Sequence, residues 1–343
     1  MPGAFRLRHL NYNLFSIDTK GHHVAGFFHF FSAHFALFKL EFWGLLVGGI
    51  GSGFIYAMIA VGYTMVYGVL RLINFAHSEV FMAGGFASFF LLKATIGTTT
   101  PTGIMSVLYI ILGILGGGLV GSLLAMTLER VAYRPLRNRN APKLAYLISA
   151  IGASYFLFNM AGKEFGRYNL SMVSPYVNHT VLTIFGAPLQ MYYIIIFIAA
   201  LIMLVTLDQL VAKTKLGRSI RSVAQDSETA SLMGVDIDKT IALTFILGGF
   251  MGGAAGFLFG LNVGVVYTMG FTPAIKAFTA AVLGGIGNLR GAVIGGLLLG
   301  VVESFSVAFV NAAYIDVVAF GILVLVLLFR PTGILGERIG RAA

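Results

Sequence analysis

Nineteen consecutive residues, Leu189 to Leu207, carry no charge. A helix of that length rises about 28 Å, close to the roughly 30 Å hydrocarbon thickness of a membrane. Backbone polar groups in lipid must bond within their own segment, so such a run reads as a spanning helix. Similar runs recur at about residues 43–70, 70–92, 103–127, 144–162, 189–211, 240–264, 292–310 and 314–329. Phe278–Ile286 is too short to cross and is followed by the break Asn288-Leu289-Arg290-Gly291. A transmembrane barrel would show short alternating segments instead. Charged residues make up 10% of the chain, where a soluble domain carries about 25%. The expected fold is all-α: a polytopic integral membrane protein with about eight full spans plus a short broken or re-entrant segment.

The net charge of +10 is unevenly placed. Arg130, Arg134, Arg137, Arg139 and Lys143 share one loop between spans, and Lys213, Lys215, Arg218, Arg221 and Lys239 share another. Arg330, Arg338 and Arg341 lie near the end. Short basic loops beside spans mark the cytoplasmic side, so this pattern points to a lipid bilayer and not to nucleic acid. The loop 163–188, with only Lys163 and Arg167 as basic residues, is then external. The direction of successive spans places Phe42–Gly44 outside as well, unless the N-terminal segment itself crosses. The chain has no cysteine, which excludes disulfides and thiol chemistry.

Residues 1–41 form an N-terminal extension, 42–336 the main body and 337–343 a cytoplasmic tail. The extension is aromatic and holds five of the seven histidines: His9, His22, His23, His29 and His34. Val24–Phe38 is short for a span and reads as an interfacial aromatic helix; no tight ligand spacing marks a metal site. Glycine, at 44 residues, supplies packing surfaces. Gly113, Gly117 and Gly121, the series Gly248 to Gly264, and Gly291 with Gly295 recur every fourth position. Residues so spaced share a helix face and let another backbone approach closely.

No phosphate loop, H-E-x-x-H pattern or paired carboxylate set is present, so the residues show no enzyme chemistry and no cofactor site. Ionisable residues at membrane depth remain: Glu79 with His77, Glu303, Asp208 and Asp316. Charge there is costly and faces a cavity or a partner. Asp208 and Asp316 read as interfacial. Asn74, His77, Ser78 and Glu79, with Asn288 and Arg290, interrupt apolar runs and are candidates for a translocation path, since discontinuous helices expose backbone groups to a substrate. A structural polar cluster that holds a broken helix together accounts for them equally well.

The longest polar interruption is Lys213–Lys239. Within it Asp226 is placed to cap a short helix over Ser227–Met233. Glu228 sits in the first turn, where the helix dipole favours an acid, and Gly234 terminates it. A capped two-turn helix on a basic loop suits docking by another protein. An ordinary surface loop fits the same residues and is the commoner case.

Several stretches carry a resemblance: GYTMVYGVLRLINFAHSE (62–79), ERVAYRPLR (129–137), LISAIGAS (147–154), AQDSETASLMGV (224–235), AFTAAVLGGIGN (277–288), GAVIGGLLLG (291–300) and PTGILG (331–336). Over residues 42–336 the chain resembles the LivH-type permease subunit of bacterial high-affinity branched-chain amino-acid ABC importers. The resemblance implies a transport subunit of the bacterial inner membrane for leucine, isoleucine and valine. Its partners would be a second homologous permease, two cytoplasmic ABC ATPase subunits that bind the ATP, and a periplasmic substrate-binding protein. Asp226, Ser227, Glu228, Thr229, Ala230 and Gly234 match the family's E-A-A…G segment, whose helix docks in a groove of the ATPase. Small Ala230 is expected to enter that groove. Ser78 stands where the family usually has glycine, and no proline lies near Leu289–Arg290. Related permeases carry urea or short amides. A proton-coupled carrier using Glu79 or Glu303, transporting without an ATPase, is the alternative from another class.

Overall fold

The computed structural model describes residues 23–72, 74–96, 101–330 and 332–336. His9, His22 and the tail 337–343 lie outside the described residues. Helix α1 is His23–Leu70, α2 His77–Thr95 and α3 Ile104–Leu128. A π-helical turn, Glu129–Tyr133, leads into α4, Arg134–Asn138, and then α5, Lys143–Glu164. Strands β1 (Thr180–Ile184) and β2 (Ala187–Gln190) precede α6, Met191–Lys213. The short helices α7 (Lys215–Gln225) and α8 (Ser227–Leu232) follow, and then α9, Ile237–Val263. The chain closes with α10 (Phe271–Gly284), α11 (Leu289–Ser306) and α12 (Ile315–Phe329).

The described residues account for six of the about eight expected spans by length and apolarity. Among the described residues six helices are long and apolar enough to cross: Glu41–Leu70 of α1, Ile104–Asn138, α5, α6, α9 and α11. Helix α12 has 15 residues and α10 has 14, rises of roughly 22 and 21 Å. Helix α2 has 19 residues but opens on His77, Ser78 and Glu79. Within the extension, residues 23–41 do not form a helix of their own, because α1 runs unbroken for 48 residues from His23 into the first span.

The fold is all-α as expected, with one small hairpin added in a loop. In the loop 165–190, β1 and β2 pair antiparallel, with Ile184 opposite Ala187. Phe185 and Gly186 at the tip have φ of 46° and 88°. Two successive positive φ values make the turn whose twist suits a two-residue hairpin.

Helix α9 is the centre of the bundle. A Cβ at Gly253 would meet the backbone of Gly117 and Gly121 on α3, and one at Gly256 would meet the Phe81 carbonyl on α2. The glycine stripes thus bring backbones into contact where no hydrophobic drive between helices operates. Gly264 departs from its series: at φ +83° it ends α9 instead of extending the groove. Gly291 and Gly295 face Gly284 and Ala280, closing α10 and α11 into an antiparallel hairpin. Phe81, Phe245, Phe257 and Tyr133 are fully buried around this frame. Helices α3, α5 and α6 leave Leu119, Ile151, Phe156 and Leu201 exposed, an apolar belt for lipid.

The two basic loops meet at one end of the bundle. Arg134 and Arg137 bond Asp238 at 2.7 and 2.6 Å, and Arg137 bonds Glu129 at 3.0 Å. At the other end Leu170 bridges Val265, and Trp43 stacks on Phe185 with centroids 4.6 Å apart.

Candidate functional site

The loop after α6 is built by local caps. Thr214 accepts the Gly217 amide at 3.1 Å and starts α7. Asp226 is extended (φ −153°), which breaks α7 from α8. Its carboxylate accepts the Glu228 amide at 3.0 Å and the Thr229 hydroxyl at 2.5 Å. The Thr229 hydroxyl, then the Glu228 and Thr229 amides, hold the Asp226 carboxyl below the usual carboxylate range. Gly234 at φ +81° closes the helix, with the Val235 amide donating to the Ala230 carbonyl at 3.0 Å. Helix α8 ends one residue before the expected Met233, which serves as its cap.

Ala230 does not face outward as expected. It is 4% exposed and packs in an apolar cluster with Val69, Ala76, Val223, Ile241 and Phe245. The outward apolar residues are Leu232 and Met233, 84% and 81% exposed, beside exposed Ser227, Glu228 and Thr229. Helix α8 therefore has an inner face seated on α7 and α9 and an outer face left open.

The candidate path residues divide into two groups, each with its own partners. Asn74 is buried, and its Oδ1 accepts the Ala76 amide at 3.1 Å and the Tyr133 hydroxyl at 2.7 Å. It therefore anchors the α1–α2 break to the π turn. The His77 ring is buried against Tyr63, centroids 4.8 Å apart, and between Gly62 and Gly252. Ser78 Oγ lies 2.8 Å from the Phe75 carbonyl and 3.1 Å from Glu79 Oε1. Glu79 also accepts from Ser154 of α5 at 3.0 Å.

In the second group Asn288 caps α11 by accepting the Arg290 and Gly291 amides, both at 3.1 Å, and donates to the Leu335 carbonyl. Arg290 pairs with Asp208 at 3.1 Å, so Asp208 has a partner across helices. A slot of about 10 Å³ lies between α1 and α10, lined by Tyr63, Thr64, Tyr67, Phe278, Ala281 and Ile286. It is too small for any amino acid. A wider cleft of about 330 Å³ opens among α2, α3 and α5, lined by Met82, Phe86, Leu124, Leu157, Met160 and Glu164 among others.

Two features escape a reading of the sequence. Lys276 of α10 is 7% exposed and bonds Glu303 of α11 at 2.5 Å and Asp316 of α12 at 2.8 Å. Asp316 is thus an ion-pair partner and not simply interfacial. The cost of a lone cation in FTPAIKAFTAAVLG was the available signal. The second is Arg71, whose guanidinium bonds the Ala224 and Gln225 carbonyls at 3.3 and 3.0 Å.

A family described as the permease component of the branched-chain amino acid transport system matches residues 45–327. The chain belongs to this permease family. It is 42% identical over 302 residues to the high-affinity branched-chain amino acid transport permease LivH of Salmonella typhimurium, covering 87% of this chain and 96% of that one. Identity to BraD of Pseudomonas aeruginosa is 42% over 299 residues, covering 85% and 95%. The probable LivH of Methanocaldococcus jannaschii is 27% identical over 306 residues, covering 85% and 92%. No solved structure matches the chain. As a permease component the protein is a multi-pass membrane subunit of a transport system and not an enzyme.

Proposed function

We propose that this permease translocates leucine, isoleucine and valine across the bacterial cytoplasmic membrane as part of an ABC importer. It pairs with a second, similar permease, receives substrate from a periplasmic binding protein and is driven by two cytoplasmic ATPases, which bind the ATP. The observation that carries the reading is the two-sided α8. Its inner face is anchored on α7 and α9, while Leu232 and Met233 stand open toward the end of the bundle where the basic loops gather. Burying an exposed apolar side chain of that size contributes about 1.5–3 kcal/mol, one increment of the docking energy in an ATPase groove. Motion of the ATPases then moves α8 and the spans beneath it. The slot between α1 and α10, whose lining Tyr63 packs on His77, opens in alternation to each side.

The test is reconstitution of the permease with its partner permease, ATPases and binding protein in vesicles. Labelled leucine should accumulate only with ATP, and isoleucine and valine should compete. Competition by urea or acetamide instead would reassign the substrate. Accumulation without the ATPases, driven by a proton gradient, would replace the reading by a secondary carrier.

A further inference from the structure

Leu70 ends α1, and neither a proline nor a glycine stops it. Arg71 does, by turning to φ +52°, a left-handed conformation uncommon for a residue with a Cβ. Its amide donates to the Tyr67 carbonyl at 2.7 Å and closes the helix end. The same turn sends the guanidinium toward α7, across a sequence separation of 154 residues to Gln225. There it meets the Ala224 and Gln225 carbonyls in the last turn of α7, at 3.3 and 3.0 Å. Carbonyls at a helix C-terminus lack partners within the helix and attract cations.

The next residue is Asp226, the cap of α8. Arg71 thus holds the joint between α7 and α8. Beside it Val223 of α7 and Ala230 of α8 share an apolar cluster with Val66 and Val69 of α1, Ala76 at the break and Val80 of α2. On the far side of the break, α2 carries His77 and Glu79. Among the described residues no other polar bond ties the α7–α8 joint to α1 or α2.

We infer that Arg71 is a positioning residue that makes the α7–α8 joint and the α1–α2 break move as one body, so that displacement of α8 reaches His77 and Glu79 directly. This rests on the importer reading given above. The route is short: guanidinium to carbonyls on one side, and on the other only five residues of sequence between Arg71 and His77. A contact that is only structural would alter stability without separating hydrolysis from transport.

The variant to make is Arg71→Gly, because glycine accepts positive φ and leaves α1 its own ending. Arg71→Lys keeps a cationic donor. In the reconstituted importer, R71G should retain the ATPases on affinity purification and hydrolyse ATP at a similar basal rate. Leucine moved per ATP should fall at least tenfold, and R71K should recover a substantial part. Unchanged transport per ATP in R71G overturns the inference, as does equal loss in R71G and R71K. A wild-type complex with no ATP-driven uptake would instead be a failure of the importer reading. A second measurement needs no ATPase. The chain has no cysteine, so a pair of spin labels can be placed in one chain at exposed Phe75 and Leu232 with no background site. A single narrow distance in the otherwise native chain should broaden in R71G; an identical distribution also overturns the inference.

Discussion

Ala230 and Leu232 are two positions apart in α8, and their side chains take opposite sides: one is 4% exposed, the other 84%. At about 100° per residue two steps turn a helix through roughly 200°. The small residue of the family motif is therefore the one that lets α8 lie close on its own permease. The large residue is the one left exposed.

Leu232→Asp and Met233→Asp should leave the permease inserted and at normal abundance. Each removes about 1.5–3 kcal/mol of apolar burial at the ATPase contact, which is one to two decades in association. Ala230→Leu should act differently, overpacking the cluster around Val69 and Phe245 at about 1–3 kcal/mol. Its first effect is a lower unfolding temperature of the permease alone. Quantifying the ATPase that co-purifies, beside thermal unfolding in detergent, separates the two. A230L with wild-type stability and lost ATPase would restore the expectation that Ala230 faces outward.

Lys276→Met should leave Glu303 without its cation among α1, α10 and α11. Breaking a buried pair from one side costs about 3–5 kcal/mol, and the triple change with Glu303→Gln and Asp316→Asn should recover most of it. Asp316→Asn alone should be mild, since that carboxylate is half exposed. The midpoint of thermal unfolding measures each. A triple variant no better than K276M would show that the charges themselves are needed.

Asn74→Leu and Glu79→Gln test the first polar group. Asn74 ties the Ala76 amide to Tyr133, so the leucine variant should lose stability by about 1–3 kcal/mol through its unsatisfied partners. Glu79→Gln preserves shape and can still accept from Ser154. A fall in uptake without loss of folded protein would assign Glu79 to transport; unchanged uptake would make it a strut between α2 and α5.

The topology prediction uses single cysteines at Arg137, Asn178 and Ser231. Loops 129–143 and 212–239 should be cytoplasmic and 163–188 external, because basic residues concentrate in the first two. An impermeant thiol reagent applied to intact cells should label only position 178. Labelling at 231 would invert the arrangement.

Length and apolarity alone determined that α3, α6 and α9 cross a membrane, because a helix in lipid satisfies its backbone internally whatever surrounds it. Glycine spacing revealed which helix faces come close, and the cap at Asp226 with the stop at Gly234 located α8. All are local properties of consecutive residues. Tertiary structure decided the rest. That Ala230 turns inward, that Lys276 lies between Glu303 and Asp316, that Asn74 holds Tyr133, and that Arg71 reaches Gln225 are facts about neighbours far apart in the chain. Helical periodicity says which residues share a face, but with spans apolar on nearly all sides it does not say which face meets which helix. Only the assembled bundle, by bringing particular polar groups within bonding distance at membrane depth, selects those pairs.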